Sequence, residues 1–157
     1  MISIVEKGIC WQDPNSQIIF NPVSISKREG KELFNPNLKH DYPEVYDNYL
    51  DYMIGVSKKR LLGDVQLIQI EEKKFILNGY VMVGRDMNIK ALTKALVELS
   101  NLAEEYHLSI ALTSNLGCND QENAKTVENV IRTIFGDFHE TVYIYKKKPR
   151  HHKKQNI

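Results

Sequence analysis

The chain has 157 residues, of which 42% are hydrophobic and 26% charged, a composition typical of one soluble globular domain with a single core. No apolar run approaches the roughly 18 residues that a membrane span needs. The first residues also lack the basic start and long apolar stretch of a secretory signal. We therefore expect a cytoplasmic protein with no membrane partner.

The net charge of +1 is unevenly distributed. Six of the 21 lysines and arginines lie within residues 146–154, which leaves 15 basic against 20 acidic residues in the rest of the chain. That balance is unlike a general nucleic-acid binder. The terminal run KKKPRHHKKQNI has no apolar residue before Ile157 and cannot pack a core. We predict a folded domain over residues 1–146 and a disordered basic tail over 147–157, which aids solubility or makes a weak nucleic-acid contact.

The amino-terminal half shows two short apolar runs and one helical pattern. Ile2–Val5 is predicted to be a strand. A second strand, Gln17–Phe20, is expected to end at Pro22, which has no N–H to donate to a ladder. A long polar loop follows, from about Ser24 to His40. Helical spacing of apolar residues begins at Pro43, which suits the first turn of a helix.

The carboxyl-terminal half alternates between strands and helices. An alternating strand at Val65–Ile70 precedes two apolar runs that either form one strand or are separated by a turn at Asn78-Gly79. Asp86 or Asn88 is expected to cap the helix that follows. The remaining elements are predicted as a helix with a stripe from Ile89 to Ala103, a strand at Ile110–Leu112, a helix from about Gln121 to Phe135 and a strand at Thr141–Tyr145.

This order of elements predicts an α/β fold with helices on both faces of the sheet. Strand–helix–strand–helix–strand in the second half gives right-handed crossovers between parallel strands. We expect a three-layer α/β/α domain with a mixed, mostly parallel central sheet. The first half is expected to contribute edge strands and one helix.

The segment Ser114–Asp120 is the strongest functional signal, because it joins a buried strand to the start of a helix. Gly117 permits a sharp turn or a close approach to a ligand, and Asn119 or Asp120 can cap the helix. The free N–H groups of such a helix start favour a phosphate. Residues 21–40 also follow a strand, and ligands of α/β sheets bind at the carboxyl ends of strands. The two loops therefore predict one cleft for a nucleotide or another phosphorylated ligand.

The order of several short motifs resembles the macrodomain, the ADP-ribose-binding fold. The similar segments cover nearly all of residues 2–146 and are Val5–Ile9, Ile18–Pro22, Tyr42–Tyr49, Leu62–Val65, Leu116–Asn119 and Val142–Tyr145. The resemblance implies a macro-like domain that binds ADP-ribose or a related nucleotide. It implies a ligand site drawn from Ile9, Asn21, Ser24, Ser26, Gly30, Lys31, Ser114, Asn115, Gly117, Cys118, Asn119 and Tyr145.

Three departures from the family pattern bear on ligand choice. Ile9 occupies the position of the aspartate that reads the adenine amino group in the family. The glycine-rich first loop has only Gly30 within residues 24–31, and Asn119 replaces the second glycine of the phosphate loop. Each change at the loops reduces close backbone approach to a diphosphate. Lysines and an arginine near the first loop, among them Lys31, are available to balance phosphate charge.

Candidate catalytic groups are few. Asn21 can fix a ribose or a water, or bond the neighbouring turn, and Asp120 can orient a water or cap the helix. Cys118 is a reactive thiol or, as usual in the family, a packed structural one. Cys10 and Cys118 have no metal-type spacing and the histidines are scattered, so we expect reduced thiols, no metal and no cofactor.

Three functions remain open from the sequence. The first is a binding module for ADP-ribose or a related nucleotide. The second is a hydrolase of ADP-ribose derivatives, such as an ADP-ribosyl ester or ADP-ribose 1″-phosphate, using Asn21 with Asp120. The third is a non-catalytic scaffold that binds protein or nucleic acid, aided by the basic tail.

Overall fold

The computed structural model describes residues 1–6, 8–28, 31–32, 34–114, 116, 118 and 121–146, and of residues 27–28, 31–32 and 121–122 only the backbone. Its strands are β1 (Ile2–Val5), β2 (Ile18–Ser24), β3 (Lys27–Arg28), β4 (Lys31–Glu32), β5 (Val65–Glu71), β6 (Lys74–Val83), β7 (Asp86–Met87), β8 (Ile110–Thr113) and β9 (Val142–Tyr145). Its helices are α1 (Pro36–Asp41), α2 (Pro43–Gly55), α3 (Lys58–Leu61), α4 (Ile89–Tyr106) and α5 (Gln121–Phe135), and a 3₁₀ turn covers Cys10–Gln12.

The central sheet is mixed and mostly parallel, as predicted. Its order is β1-β9-β8-β2-β6-β5, and β7 pairs with β6. All neighbours from β1 to β6 are parallel, whereas β5 and β7 run antiparallel to β6. Helices α4 and α5 bury their apolar stripes on one face of this sheet. Helices α1 and α2 cover the other face, which confirms three α/β/α layers.

The expectation that the first half supplies only edge strands is wrong for β2, which lies between β8 and β6. Its predicted end at Pro22 is also wrong, because the strand continues to Ser24. Backbone groups alternate in direction along a strand, and the N–H of Ile18 points toward β8. By that alternation the position of Pro22 faces β8 as well. The β2–β8 ladder stops at Ile19, so the missing N–H leaves no ladder bond unmade.

The turn considered at Asn78-Gly79 does not form, since β6 runs without interruption from Lys74 to Val83. Gly79 is needed there for space. An ideal Cβ on Gly79 would lie 2.5 Å from Cζ of Phe20. The glycine therefore lets the Phe20 ring cross β6 at close range.

The predicted loop from Ser24 to His40 contains more structure than expected. Strands β3 and β4 pair antiparallel to form a separate two-stranded sheet. Helix α1 then begins at Pro36, where the side chain of Asn35 accepts hydrogen bonds from the N–H groups of Asn37 (2.9 Å) and Leu38 (3.3 Å). This is the usual arrangement of an asparagine cap followed by proline in the first turn.

The two long helices of the second half follow the prediction closely. Of the two candidate caps for α4, the structure selects Asn88, whose side-chain oxygen accepts from the Ala91 N–H at 2.9 Å. Helix α5 has the predicted bounds, Gln121–Phe135. Helix α5 connects β8 to β9, which are parallel neighbours in the sheet.

Candidate ligand-binding site

A cavity of about 300 Å³ lies toward the carboxyl ends of β2 and β8. These strands pair only at Ile18 and Ile19 and then diverge. The space between them is lined by Cys10, Trp11, Ile19, Phe20, Asn21, Pro22, Asn35, Leu38, Met82, Thr113 and Leu116. The segments that follow β2 and β8 thus reach a common cavity, in the place where ligands bind in open α/β sheets.

One wall of the cavity is the 3₁₀ turn, which is tied to the end of α1. The indole N–H of Trp11 donates to Oδ2 of Asp41 at 2.8 Å, and the Gln12 amide donates to the same oxygen at 3.3 Å. The bond from Trp11, followed by one from His40, lowers the pKa of Asp41. Trp11 itself is buried. The turn is therefore held against α1 by a charge-assisted hydrogen bond.

Cys10 brings a thiol to the cavity wall. Burial raises its pKa to about 11, and backbone hydrogen bonds offset this only in part. The thiol is therefore protonated at neutral pH and contributes a small apolar surface instead of a nucleophile.

Asn21 supplies the main polar group of the cavity. Its side chain is buried, and its Nδ2 donates to Oδ1 of Asn78 at 2.9 Å. No donor from the described residues is bonded to its Oδ1, and no fully buried side-chain oxygen or nitrogen of those residues lacks a hydrogen-bond partner. The oxygen of Asn21 is thus accessible from the cavity that this residue lines.

Ser24 and Ser26 do not line the cavity. The Ser24 hydroxyl donates to the Ser26 carbonyl at 3.0 Å and accepts from the Ser26 N–H at 3.1 Å. The Ser26 hydroxyl in turn accepts from the Gly84 N–H at 2.8 Å. These serines close the local turn between β2 and β3.

Tyr145 is also placed away from the cavity. Its ring is buried in the core under α1 and α2, and its hydroxyl bonds to Asp13 and to Ser16, the latter at 3.1 Å. Burial, and then the bond to Asp13, raises the pKa of Tyr145, whereas the same bond lowers the pKa of Asp13. The tyrosine anchors the loop that precedes β2.

The remaining candidates are dispersed. Ile9 is 41% exposed and is not among the lining residues. Ser114 borders a separate cavity of about 80 Å³ with Arg132 and Lys146, and Cys118 packs partly on the α4–α5 core. Lys31 lies in β4, where only the backbone is described. Gly30, Asn115, Gly117, Asn119 and Asp120, and the tail over 147–157, lie outside the described residues.

Sequence reasoning missed several lining residues and one supporting residue. Leu38, Asn35 and Met82 line the cavity, but their local patterns resemble ordinary helix and strand positions. Asn78, fully buried and bonded to Asn21, carried a detectable signal. It is a polar residue inside an otherwise apolar run, although the following glycine made a turn an equally good interpretation.

The described residues offer neither a metal-binding cluster nor a membrane-spanning helix. No group of three or more histidine, cysteine, aspartate or glutamate side chains there is arranged to hold a metal ion. None of the helices they form is long and apolar enough to cross a membrane. Cys10 and Cys118 are not joined by a disulfide.

Comparison with known proteins gives matches at the level of structure. The macrodomain of Thermus aquaticus DarG aligns with a TM-score of 0.73 and 18% identity, covering 94% of this chain and 99% of that one. A macrodomain protein from Streptomyces coelicolor aligns with a TM-score of 0.73 and 20% identity, over 94% and 99% of the two chains. Thermosipho africanus DarTG in complex with ADP-ribose aligns at 0.72 and 18%, over 94% of this chain and 42% of that one.

No protein-family model and no curated protein sequence matches the chain. The structural likeness nevertheless extends over nearly the whole chain. It shows that the chain has the macrodomain fold.

Proposed function

We propose that this chain, which has the macrodomain fold, binds ADP-ribose or a related nucleotide in the cavity between β2 and β8. The observation that carries the proposal is the divergence of these strands into a cavity with an accessible amide oxygen at Asn21. The DarTG structure of the same fold is a complex with ADP-ribose.

The described lining suits a sugar or base better than a bare anion. Its large side chains are apolar or aromatic, among them Trp11, Phe20 and Leu38, and its polar groups are neutral amides and a hydroxyl. Such walls contact the faces of a ring while a few polar atoms orient it. For the phosphates we propose the backbone around Gly117 together with the basic residues near Lys31.

Binding without chemistry is the better-supported form of this proposal. Among the described lining residues the only titratable side chain is the Cys10 thiol, whose pKa of about 11 makes it neither acid nor base at pH 7. Hydrolysis of an ADP-ribose derivative would need a group such as Asp120. Incubation with an ADP-ribosyl ester and with ADP-ribose 1″-phosphate, followed by chromatography, tests that alternative through the Asp120→Ala variant.

Calorimetric titration with ADP-ribose, ADP and NAD tests the binding proposal. Asn21→Ala is expected to weaken ADP-ribose binding about tenfold, since a hydrogen bond to a neutral group contributes about 1–1.5 kcal/mol. Asn101→Ala, on the exposed side of α4, is the matched control and keeps the affinity of the original protein. If none of the three nucleotides binds, the binding proposal fails and the non-catalytic scaffold becomes the better-supported function.

A further inference from the structure

Three amide side chains form a row across the sheet beside the cavity. Asn21 on β2 pairs directly with Asn78 on β6, which pairs directly with Gln66 on β5. Opposite residues of neighbouring strands project to the same face of a sheet. The adjacent row on that face is entirely isoleucine, made of Ile19, Ile76 and Ile68. The amides are therefore polar groups set in an apolar layer, where each must find its own partner.

The direction of every hydrogen bond in this row follows from one backbone group. The carbonyl of Asn48 in α2 can only accept, so the Gln66 amide must turn its Nε2 toward it, at 3.0 Å. Oε1 of Gln66 then faces Asn78 and accepts from its Nδ2 at 3.3 Å. This leaves Oδ1 of Asn78 to accept from Nδ2 of Asn21, at 2.9 Å.

A second group contacts the same Gln66 oxygen. The hydroxyl of Tyr80 lies 3.1 Å from Oε1 of Gln66 and 3.1 Å from the Tyr49 carbonyl, and both are acceptors. Burial raises the pKa of Tyr80, so the hydroxyl keeps its proton and remains a donor. Reversing the Gln66 amide would oppose its oxygen to the Asn48 carbonyl, whereas the Tyr80 hydroxyl, which can also accept, suits either orientation, so the Asn48 carbonyl sets the direction.

The row ends at the cavity, where the orientation of the Asn21 amide decides which ligand group can bond to it. One N–H of Asn21 Nδ2 is committed to Asn78, and the oxygen beside it, Oδ1, is the acceptor that Asn21 offers to a ligand. A phosphate oxygen is also an acceptor and would be repelled there, whereas a hydroxyl can donate to it. Asn78 is fully buried and is not a lining residue, so its effect on a ligand passes through Asn21.

We propose that Asn78 is a positioning residue, which receives its orientation from the Asn48 carbonyl through Gln66 and holds the Asn21 oxygen toward the cavity to accept a hydrogen bond from a ligand hydroxyl, such as that of a sugar. This rests on the proposed function for the identity of the ligand. The orientation of Asn21 itself is a property of the protein without ligand.

The orientation is tested first by NMR of the ligand-free protein. In the original protein the side-chain NH₂ of Asn21 is expected to show a hydrogen-bonded proton that exchanges slowly with solvent. In Asn78→Leu this protection is lost. Equal protection in the two proteins would overturn the proposal, and the result does not depend on whether ADP-ribose binds.

A double-mutant cycle with ADP-ribose tests the consequence for binding. Asn78→Leu is expected to weaken binding about tenfold in the original protein, equivalent to about 1.4 kcal/mol, and by less than twofold in Asn21→Ala. A general structural effect would instead weaken binding equally in both backgrounds and would refute positioning. Ser16→Ala removes a different buried hydrogen bond, to Tyr145, and serves as the control that leaves affinity unchanged.

Two further variants make the test robust. Asn78→Asp keeps an acceptor oxygen opposite Nδ2 of Asn21 and is expected to retain affinity within about twofold, even if it lowers stability. A tenfold loss in this variant would overturn the proposal. Where Asn78→Leu does not fold, Gln66→Met at a half-exposed position takes its place. It is expected to reduce both the Asn21 protection and the affinity, and unchanged values would contradict the relay.

Discussion

Gly79→Ala tests the close approach of β2 and β6 behind the cavity. The added Cβ would lie 2.5 and 2.6 Å from Cζ and Cε1 of Phe20. The ring cannot swing into solvent, because Phe20 is only 3% exposed and packs among core residues from α4 and α5. Forcing an extra methyl into such a core costs about 1–3 kcal/mol. Alanine also lowers the conformational entropy of the unfolded chain, which offsets this cost by about 0.4–1 kcal/mol.

The net expectation is a loss of about 1–2 kcal/mol in the free energy of unfolding, measured by urea denaturation. Gly55→Ala is the matched control, since nothing lies within 4 Å of its ideal Cβ at the end of α2. It is expected to stabilise by up to about 1 kcal/mol. Phe20→Leu removes the ring edge, and in that background Gly79→Ala should cost less than about 0.5 kcal/mol. A neutral Gly79→Ala, or an equal cost in both backgrounds, would refute the steric argument.

Three further predictions concern the cavity wall and the tail. Trp11→Phe is expected to lower stability at pH 7 by removing the donor to Asp41. Because the folded-state pKa of Asp41 is depressed, this contribution to stability is present above the unfolded pKa of about 3.8 and is lost as the pH falls through the folded value. Urea denaturation should therefore show a smaller stability difference between Trp11→Phe and the original protein at pH 3 than at pH 7, and an equal difference at both pH values would contradict the argument. Cys10, with a pKa raised to about 11, should react with iodoacetamide at pH 8 far more slowly than a free peptide thiol, and a rate like that of the peptide would contradict this. If the full chain binds single-stranded DNA in a salt-dependent way, truncation after Lys146 should abolish that binding and leave ADP-ribose titrations unchanged. DNA binding that survives the truncation would instead place the contact on the domain.

Periodicity identified the long elements well. The apolar stripe of α4 recurs at helical spacing over 18 residues, and α5 has a stripe of the same kind. Runs of this length carry their pattern locally, whatever lies around them. The order of strands and helices then limited the topology, since parallel crossovers take one hand. The fold class followed from these two properties.

Local pattern failed where a neighbour decided the outcome. Asn78-Gly79 has turn chemistry, yet it lies inside β6, because Asn78 is bonded by amides on both sides and Gly79 admits the Phe20 ring. Pro22 belongs to a central strand, because β8 has already diverged from β2 at that point. In both cases the residues that decide the local structure lie on other strands, far from the position in the sequence.

The sequence by itself determined where the long helices and most strands of the central sheet lie, because burial stripes and cap residues act over short separations. It also indicated that Asn21 follows a buried apolar run. Only the tertiary structure decided which side chains face the cavity. Tyr145, a candidate from the last strand, turns into the core to bond Asp13, whereas Asn21 is oriented across two strands by the carbonyl of Asn48. The direction of a polar side chain depends on partners supplied by pairing register, and register joins residues far apart in the chain.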